Sequence, residues 1–195
     1  MGIFSLDDIE ILFPGLDRRR LYEWQLKHYI VKLRNEWYCL PDFLKESYST
    51  WIIANLVHKP SYISLESALS YFNVIPEGVF MTTSVTTNRT HNIAMAGSEY
   101  GYSSLKQDLF FGYKLLKIEK YDRHIKIAEV EKALIDFFYI HPNYRTEEEI
   151  RQLRFNELEL TGEIDKEKLF RYLDIYKKKE LENRINTMLN IYLNA

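Results

Sequence analysis

A single cysteine, Cys39, leaves this 195-residue chain without an internal disulfide or a multi-cysteine zinc site. Long apolar runs are missing too: none approaches the roughly 18–20 consecutive residues that span a bilayer. With five prolines, seven glycines and no repeats, the chain has no low-complexity tract. Neither sign of charge dominates. Lys and Arg number 26 against 28 Asp and Glu, a net charge of −2. That balance excludes a surface that coats nucleic acid along its whole length but leaves room for a local basic patch. The first ten residues have no basic run and carry Asp7, Asp8 and Glu10, which oppose a signal peptide. Leu6 stands where a myristoylation motif on Gly2 needs Ser or Thr. The expectation is a cytoplasmic protein with no membrane partner.

What is present fits a folded globular chain of one domain, or of a small domain and a larger one: 46% apolar and 28% charged residues. Fifteen Tyr and eleven Phe give a core built from large rings, whose tyrosine hydroxyls need partners or the surface.

The first forty residues have the order of a winged helix-turn-helix. Ser5 reads as an N-cap with Asp7 and Asp8 in the first turn. Ile9, Leu12 and Phe13 share a helical face, and Pro14-Gly15 stops the helix. Asp17 is the next candidate cap, before a helix over about 18–28 with Leu21, Trp24 and His28 on one stripe. Residues 30–34 and 37–40 flank Asn35-Glu36 as strand, turn and strand. A third helix for this bundle is expected from 43–57. Between Arg18 and Asn35 stand six basic residues and one acid, Glu23, so this segment carries +5 and the rest of the chain −7. A basic helix start and a basic ribbon suit a groove-entering helix and a phosphate-touching wing. The expected DNA-binding residues are Arg18, Arg19, Arg20, Tyr22, Lys27, Lys32, Arg34 and Asn35. The ordinary alternative is a solvated helix start with surface arginines.

Further along, Asp42 to Val57 reads as a helix. Ser64 caps another that buries Leu65, Ala68, Leu69 and Phe72. The β-branched run 79–87 predicts a strand, as do 100–105 and 109–120, with Gly112 as a bulge. A helix is predicted over 128–140 with Val130, Leu134, Phe137 and Phe138 inward, and Thr146-x-x-Glu149 is a capping box. Asp165 caps a long terminal pattern through Leu169, Leu173, Leu181, Ile185, Leu189 and Leu193, with Lys177-Lys178-Lys179 at a bend between two helices. The fold class is therefore α+β: a winged helix-turn-helix at 1–45, then a mixed domain at 46–195 ending in helices.

Four segments in fixed order carry a resemblance. They are the winged-helix order, Tyr62-Ile63-Ser64-Leu65-Glu66-Ser67-Ala68-Leu69, Val85-Thr86-Thr87 followed by Arg89-Thr90, and Glu131-Lys132-Ala133-Leu134-x-Asp136. Over residues 4–140 the chain resembles the AbiEi-type antitoxins of bacterial toxin–antitoxin and abortive-infection operons. The resemblance implies a transcriptional autoregulator that binds its own promoter DNA; a homo-oligomer on that DNA is a further expected partner, with the oligomeric state left open by the sequence. The resemblance also implies a partner toxin of nucleotidyltransferase type, countered by the larger C-terminal region. Residues 141–195 carry none of these motifs.

The residues lead to an expectation of no cofactor and no catalysis. Lys132 and Asp136 stand four apart on a helix, where pairing across one turn is the plain explanation. Glu66, Ser64 and Ser67 have no histidine close in sequence to make a nucleophile. His58, His91, His124 and His141 are scattered, without metal-ligand spacing. A nucleotidyltransferase needs a Gly-Ser turn and two carboxylates one residue apart. Gly97-Ser98 is followed by Asp108, but Phe110 occupies the second carboxylate position. A protein-interaction module without DNA contacts is the other alternative. Tyr172, Tyr176 and Tyr192 on the last helices are the candidate partner-binding face, against the simpler role of capping the core.

Overall fold

In the computed structural model, which describes residues 2–76 and 78–193, strand β1 (Ile3–Ser5) runs straight into helix α1 (Leu6–Leu12). Ser5 makes that junction. Its hydroxyl accepts from the Asp8 amide at 3.1 Å, while the Asp8 carboxylate accepts from the Ser5 amide at 2.7 Å. At the start of α2 (Arg19–Leu26), Asp17 Oδ1 accepts from the Arg19 amide at 2.9 Å. Strands β2 (Val31–Lys32) and β3 (Trp37–Cys39) form the ribbon. Asn35 and Glu36 between them are both left-handed, at φ 53° and 63°, which gives a tight hairpin its twist. β1 lies antiparallel to β3, so the small sheet has the order β1-β3-β2.

This sheet is a wall with a core on each side, because strand side chains alternate. Ile3 and Cys39 point into the main core, joined by Leu33. Phe4 and Tyr38 point the other way, to a small core of Leu6, Ile9, Leu21 and Ile30. The expected break near residue 45 is thus a change of sheet but not a break in packing. Two expected faces are only partly covered. Ile9 is buried, but Leu12 and Phe13 are exposed, and His28 leaves the helix at φ 56° into solvent.

The larger sheet contains β4 (Ser61–Ile63), β5 (Met81–Thr86), β6 (His91–Met95), β7 (Ser98–Ser104), β8 (Tyr113–Ile118) and β9 (Arg123–Ala128). Their order is β6-β7-β5-β4-β9-β8, with β5–β7 and β4–β9 parallel and the remaining pairs antiparallel. Helix α3 (Ser49–Val57) packs on β4, β5 and β9, with Ile52, Ile53, Ala54 and Val57 in the main core. It is not the third helix of the small bundle. The predicted helix 42–57 is interrupted, with a 3-10 turn at Pro41–Lys45 before α3. Helix α4 (Leu65–Tyr71) follows β4 and packs on α5 (Val130–Ile140).

The long strand expected over 109–120 is shorter. A 3-10 turn covers Gln107–Leu109, and Gly112, at φ +70°, precedes β8 and is not a bulge within it. Gly97-Ser98 is part of the β6–β7 hairpin. The tail folds as α6 (Glu147–Arg151), α7 (Glu157–Glu163), α8 (Lys166–Tyr176) and α9 (Lys179–Tyr192). The Thr146–Glu149 capping box and the Asp165 cap are present, and left-handed Lys177 turns the chain between α8 and α9. Among the described residues no helix is long and apolar enough to cross a membrane.

Candidate nucleic-acid interface and buried polar network

The basic residues of the small lobe lie on two elements. Arg19 and Arg20 occupy the first turn of α2, Tyr22 lies on the next turn and is 64% exposed, and Lys27 follows the helix. Lys32 and Arg34 are exposed on the ribbon. Two of the expected contacts are already engaged. Arg18 binds Glu10 at 3.0 Å and lies 3.8 Å from Glu36. Asn35 donates its side-chain amide to the Val57 carbonyl at 3.1 Å, tying the turn to the end of α3.

The ribbon meets the large sheet at a histidine pair. The His58 and His91 rings lie 4.6 Å apart, and both pack on Tyr102. Burial first, then the neighbouring His91 and Arg34, hold His58 below its ordinary pKa. These histidines are far apart in sequence, and β6 brings them together. Among the described residues no group of three or more His, Cys, Asp or Glu is arranged to hold a metal ion.

A second constellation is wholly internal. Lys132 and Asp136, one turn apart on α5, form an ion pair with both side chains 0% exposed. Asp136 Oδ2 accepts from Tyr62 Oη and from Ser64 Oγ, both at 2.9 Å. Its Oδ1 accepts from Lys132 and from Tyr176 Oη, the latter at 2.6 Å. Lys132 Nζ also donates to Tyr176 Oη at 2.7 Å and lies 5.1–5.5 Å from the ring centres of Tyr62, Phe111 and Tyr176. Every oxygen of the carboxylate is engaged, as a charge removed from water requires.

Burial pulls the Lys132 pKa down, with Asp136 opposing, while burial and the Asp136 charge push the Tyr62 and Tyr176 hydroxyls up. This arrangement has no solvent access and fastens β4, α4, α5 and α8 together. The pairing of Lys132 with Asp136 was legible in the sequence; its complete burial was not. Ser64, expected to cap α4 with its side chain, spends its hydroxyl on Asp136 instead.

Gly112 makes room for the pair. A Cβ there would sit 3.0–3.1 Å from the Lys132 side-chain stem, and its φ of +70° is one that glycine tolerates best. At the N-terminus of α5, Lys168 bridges Glu129 at 3.2 Å and Glu131 at 3.0 Å, and Tyr172 Oη donates to Glu129 at 2.6 Å.

The three tyrosines expected to face a partner do not form an exposed face. Tyr176 is in the buried network, Tyr192 is buried and donates to the Ile150 carbonyl at 3.0 Å, and Tyr172 is committed to Glu129. They hold the terminal helices to the core. Glu66 also differs from its expected isolation: His141 Nε2, far along the chain, lies 3.2 Å from its Oε1. Ser67 and Thr83 are locked to each other through two backbone–side-chain bonds of 2.8 and 2.9 Å.

Compared with known proteins, the chain matches no family model and no curated sequence.

Proposed function

We propose that the protein is a sequence-specific DNA-binding transcriptional autoregulator that serves as the antitoxin of a toxin–antitoxin operon, with an N-terminal winged helix-turn-helix as its reading head. The observation that carries this reading is the order β1–α1–α2–β2–β3, with β1 closing antiparallel on the ribbon and Arg19, Arg20, Lys27, Lys32 and Arg34 exposed around it. In this reading α2, about 12 Å long at 1.5 Å per residue, enters the major groove. Arg19 and Tyr22 are the candidates for base edges, while Lys32 and Arg34 reach flanking phosphates. Arg18, held by Glu10 and Glu36, orients the start of the helix.

The antitoxin assignment draws on the resemblance. Its two most distinctive segments, around Tyr62 and around Glu131, meet at Asp136, so one structural role accounts for their joint presence. In this reading the region beyond the winged helix counters a nucleotidyltransferase-like toxin.

A gel-shift titration against the DNA upstream of the gene tests the reading. With 3–5 phosphate contacts, log K should fall with log salt at a slope of about −3 to −4.5 per protomer. Equal affinity for upstream and random DNA would reject operator binding. Co-expression with the neighbouring toxin tests the second role, through rescue of growth.

A protein-interaction module remains the second reading, favoured by one observation: Leu12, Phe13, Tyr22, Leu26 and Tyr29 are all exposed on the small lobe. Under that reading the same titration shows no DNA binding at low salt.

A further inference from the structure

On the side of the molecule built by α4, α5 and the segment around α6, a cleft of about 300 Å³ opens to solvent. Its described walls are mainly apolar, with three aromatic residues, Phe137, Tyr144 and Phe155, beside Ile75, Val79 and Leu153. Phe137 stacks on Tyr144 with ring centres 5.5 Å apart and meets Phe155 edge-on at 6.3 Å. Ile75 and Gln152 contribute to the remaining wall, and Glu66 is the sole charged side chain among the described residues that line it.

A carboxylate in a largely apolar cleft suits a cation, which gains a charge-assisted contact there. The group nearest to Glu66 is His141, whose Nε2 lies 3.2 Å away but off the line of a hydrogen bond. It neutralises the carboxylate only when protonated. Burial pushes the Glu66 carboxyl up, but the neighbouring His141, its own backbone amide and Thr83 together outweigh this and leave it below its ordinary value. Glu66 is therefore ionised at neutral pH.

Size and surroundings point to a side chain of another protein. The volume lies at the lower end of the roughly 300–1,000 Å³ of small-molecule pockets. Two large apolar residues stand exposed on segments that form the cleft: Phe80, next to the lining residue Val79, and Leu158, three residues beyond Phe155. The stretch 141–165 carries seven acids against three arginines, a surface complementary to a basic partner.

We propose that this cleft docks a protein partner that inserts a lysine or arginine side chain against Glu66, beside Phe137, Tyr144 and Phe155, while Phe80 and Leu158 pack on apolar surface around that anchor. A buried cationic anchor within an apolar surround is the usual make-up of an interface hot spot. The proposal stands apart from DNA binding, which uses the opposite sign of charge on a different lobe.

The test uses the full chain and two capped tripeptides, Ala-Arg-Ala and its neutral isostere Ala-citrulline-Ala, followed by NMR of the Tyr144 and Phe155 ring signals. The arginine peptide should shift both rings saturably, and the citrulline peptide should bind about tenfold more weakly, as expected for loss of one charge-assisted contact. Glu66→Gln, close in shape, should bring the arginine peptide to the citrulline level. Equal binding of the two peptides by the wild-type protein, or no shift of either ring, overturns the proposal. Tighter binding of free agmatine than of the arginine peptide would overturn the protein-partner assignment and make the cleft a small-molecule amine site.

Discussion

Tyr62 and Asp136, 74 residues apart in the chain, share a 2.9 Å hydrogen bond in the protein interior. Through it strand β4 is fastened to helix α5, and the same carboxylate oxygen holds Ser64 at the head of α4. Asp136 thus joins elements that are remote in sequence, and its charge is balanced by a lysine that water cannot reach.

Removal of that charge should be costly. Asp136→Ala leaves the Lys132 ammonium buried without a counter-charge, and a loss of about 3–5 kcal/mol is expected in urea unfolding. Lys132→Met combined with Asp136→Asn should recover part of this, because no net charge then stays buried. If the double variant is less stable than Asp136→Ala, the ion pair is not the source of the effect.

Alkaline titration offers a second measure. Tyr62 and Tyr176 keep their protons in the folded state above the ordinary tyrosine pKa of 10, through burial first and the Asp136 charge next. Tyr100 behaves likewise, raised to about 12 by burial. Groups raised in this way stabilise the fold fully below pH 10, and that contribution is lost as pH climbs through their folded values. Tyrosinate absorbance should therefore show exposed rings ionising reversibly first, then a cooperative step that coincides with unfolding. Smooth ionisation of all fifteen tyrosines before any loss of helix signal would contradict the buried assignment.

Gly112→Ala places a methyl 3.0–3.1 Å from the Lys132 stem at a left-handed backbone position. Strain and overpacking together should cost about 1–3 kcal/mol. Gly97→Ala, also at positive φ but with open space around it, isolates the backbone part and should cost less. The difference between the two melting temperatures measures the crowding alone.

In DNA binding, helix and ribbon should separate. Arg19→Ala and Tyr22→Ala should relax sequence preference by about 1–3 kcal/mol per lost base contact. Lys32→Ala should weaken specific and random DNA alike and flatten the salt slope by about one. Arg18→Ala, already paired with Glu10 and Glu36, should change affinity least of the three arginines on this helix start. Competition gel shifts at two salt concentrations distinguish these patterns.

Much of the local structure was legible because it depends on residues three or four positions apart. The caps at Ser5, Thr146 and Asp165 and the Asn35-Glu36 turn are of this kind. Strands β4, β6 and β9 were not. β4 has three residues and exists through β5 and β9, remote in the chain, whereas β6 and β9 close on the neighbouring strands β7 and β8 through turns at Ala96-Gly97 and 119–122 that were passed over in the sequence. Remote partners also hid the role of Asp136. Its i,i+4 lysine is visible in sequence, but the burial comes from Tyr62, Ser64 and Tyr176, at separations of 74, 72 and 40 residues. The tyrosines on the last helices misled for a related reason. Helical spacing gives a side chain's direction, but the neighbouring helix decides whether that direction meets water.

The small sheet supplies one wall to each of two cores, and this governs how the protein can be divided. Cutting near residue 45 would strip Ile3, Leu33, Cys39 and Phe43 from the main core, along with the bond from Arg123 to the Ile3 carbonyl at 3.3 Å. The remainder would expose a raw hydrophobic floor. The two lobes should accordingly melt as one cooperative unit, because the ribbon and the large sheet are two sides of the same core.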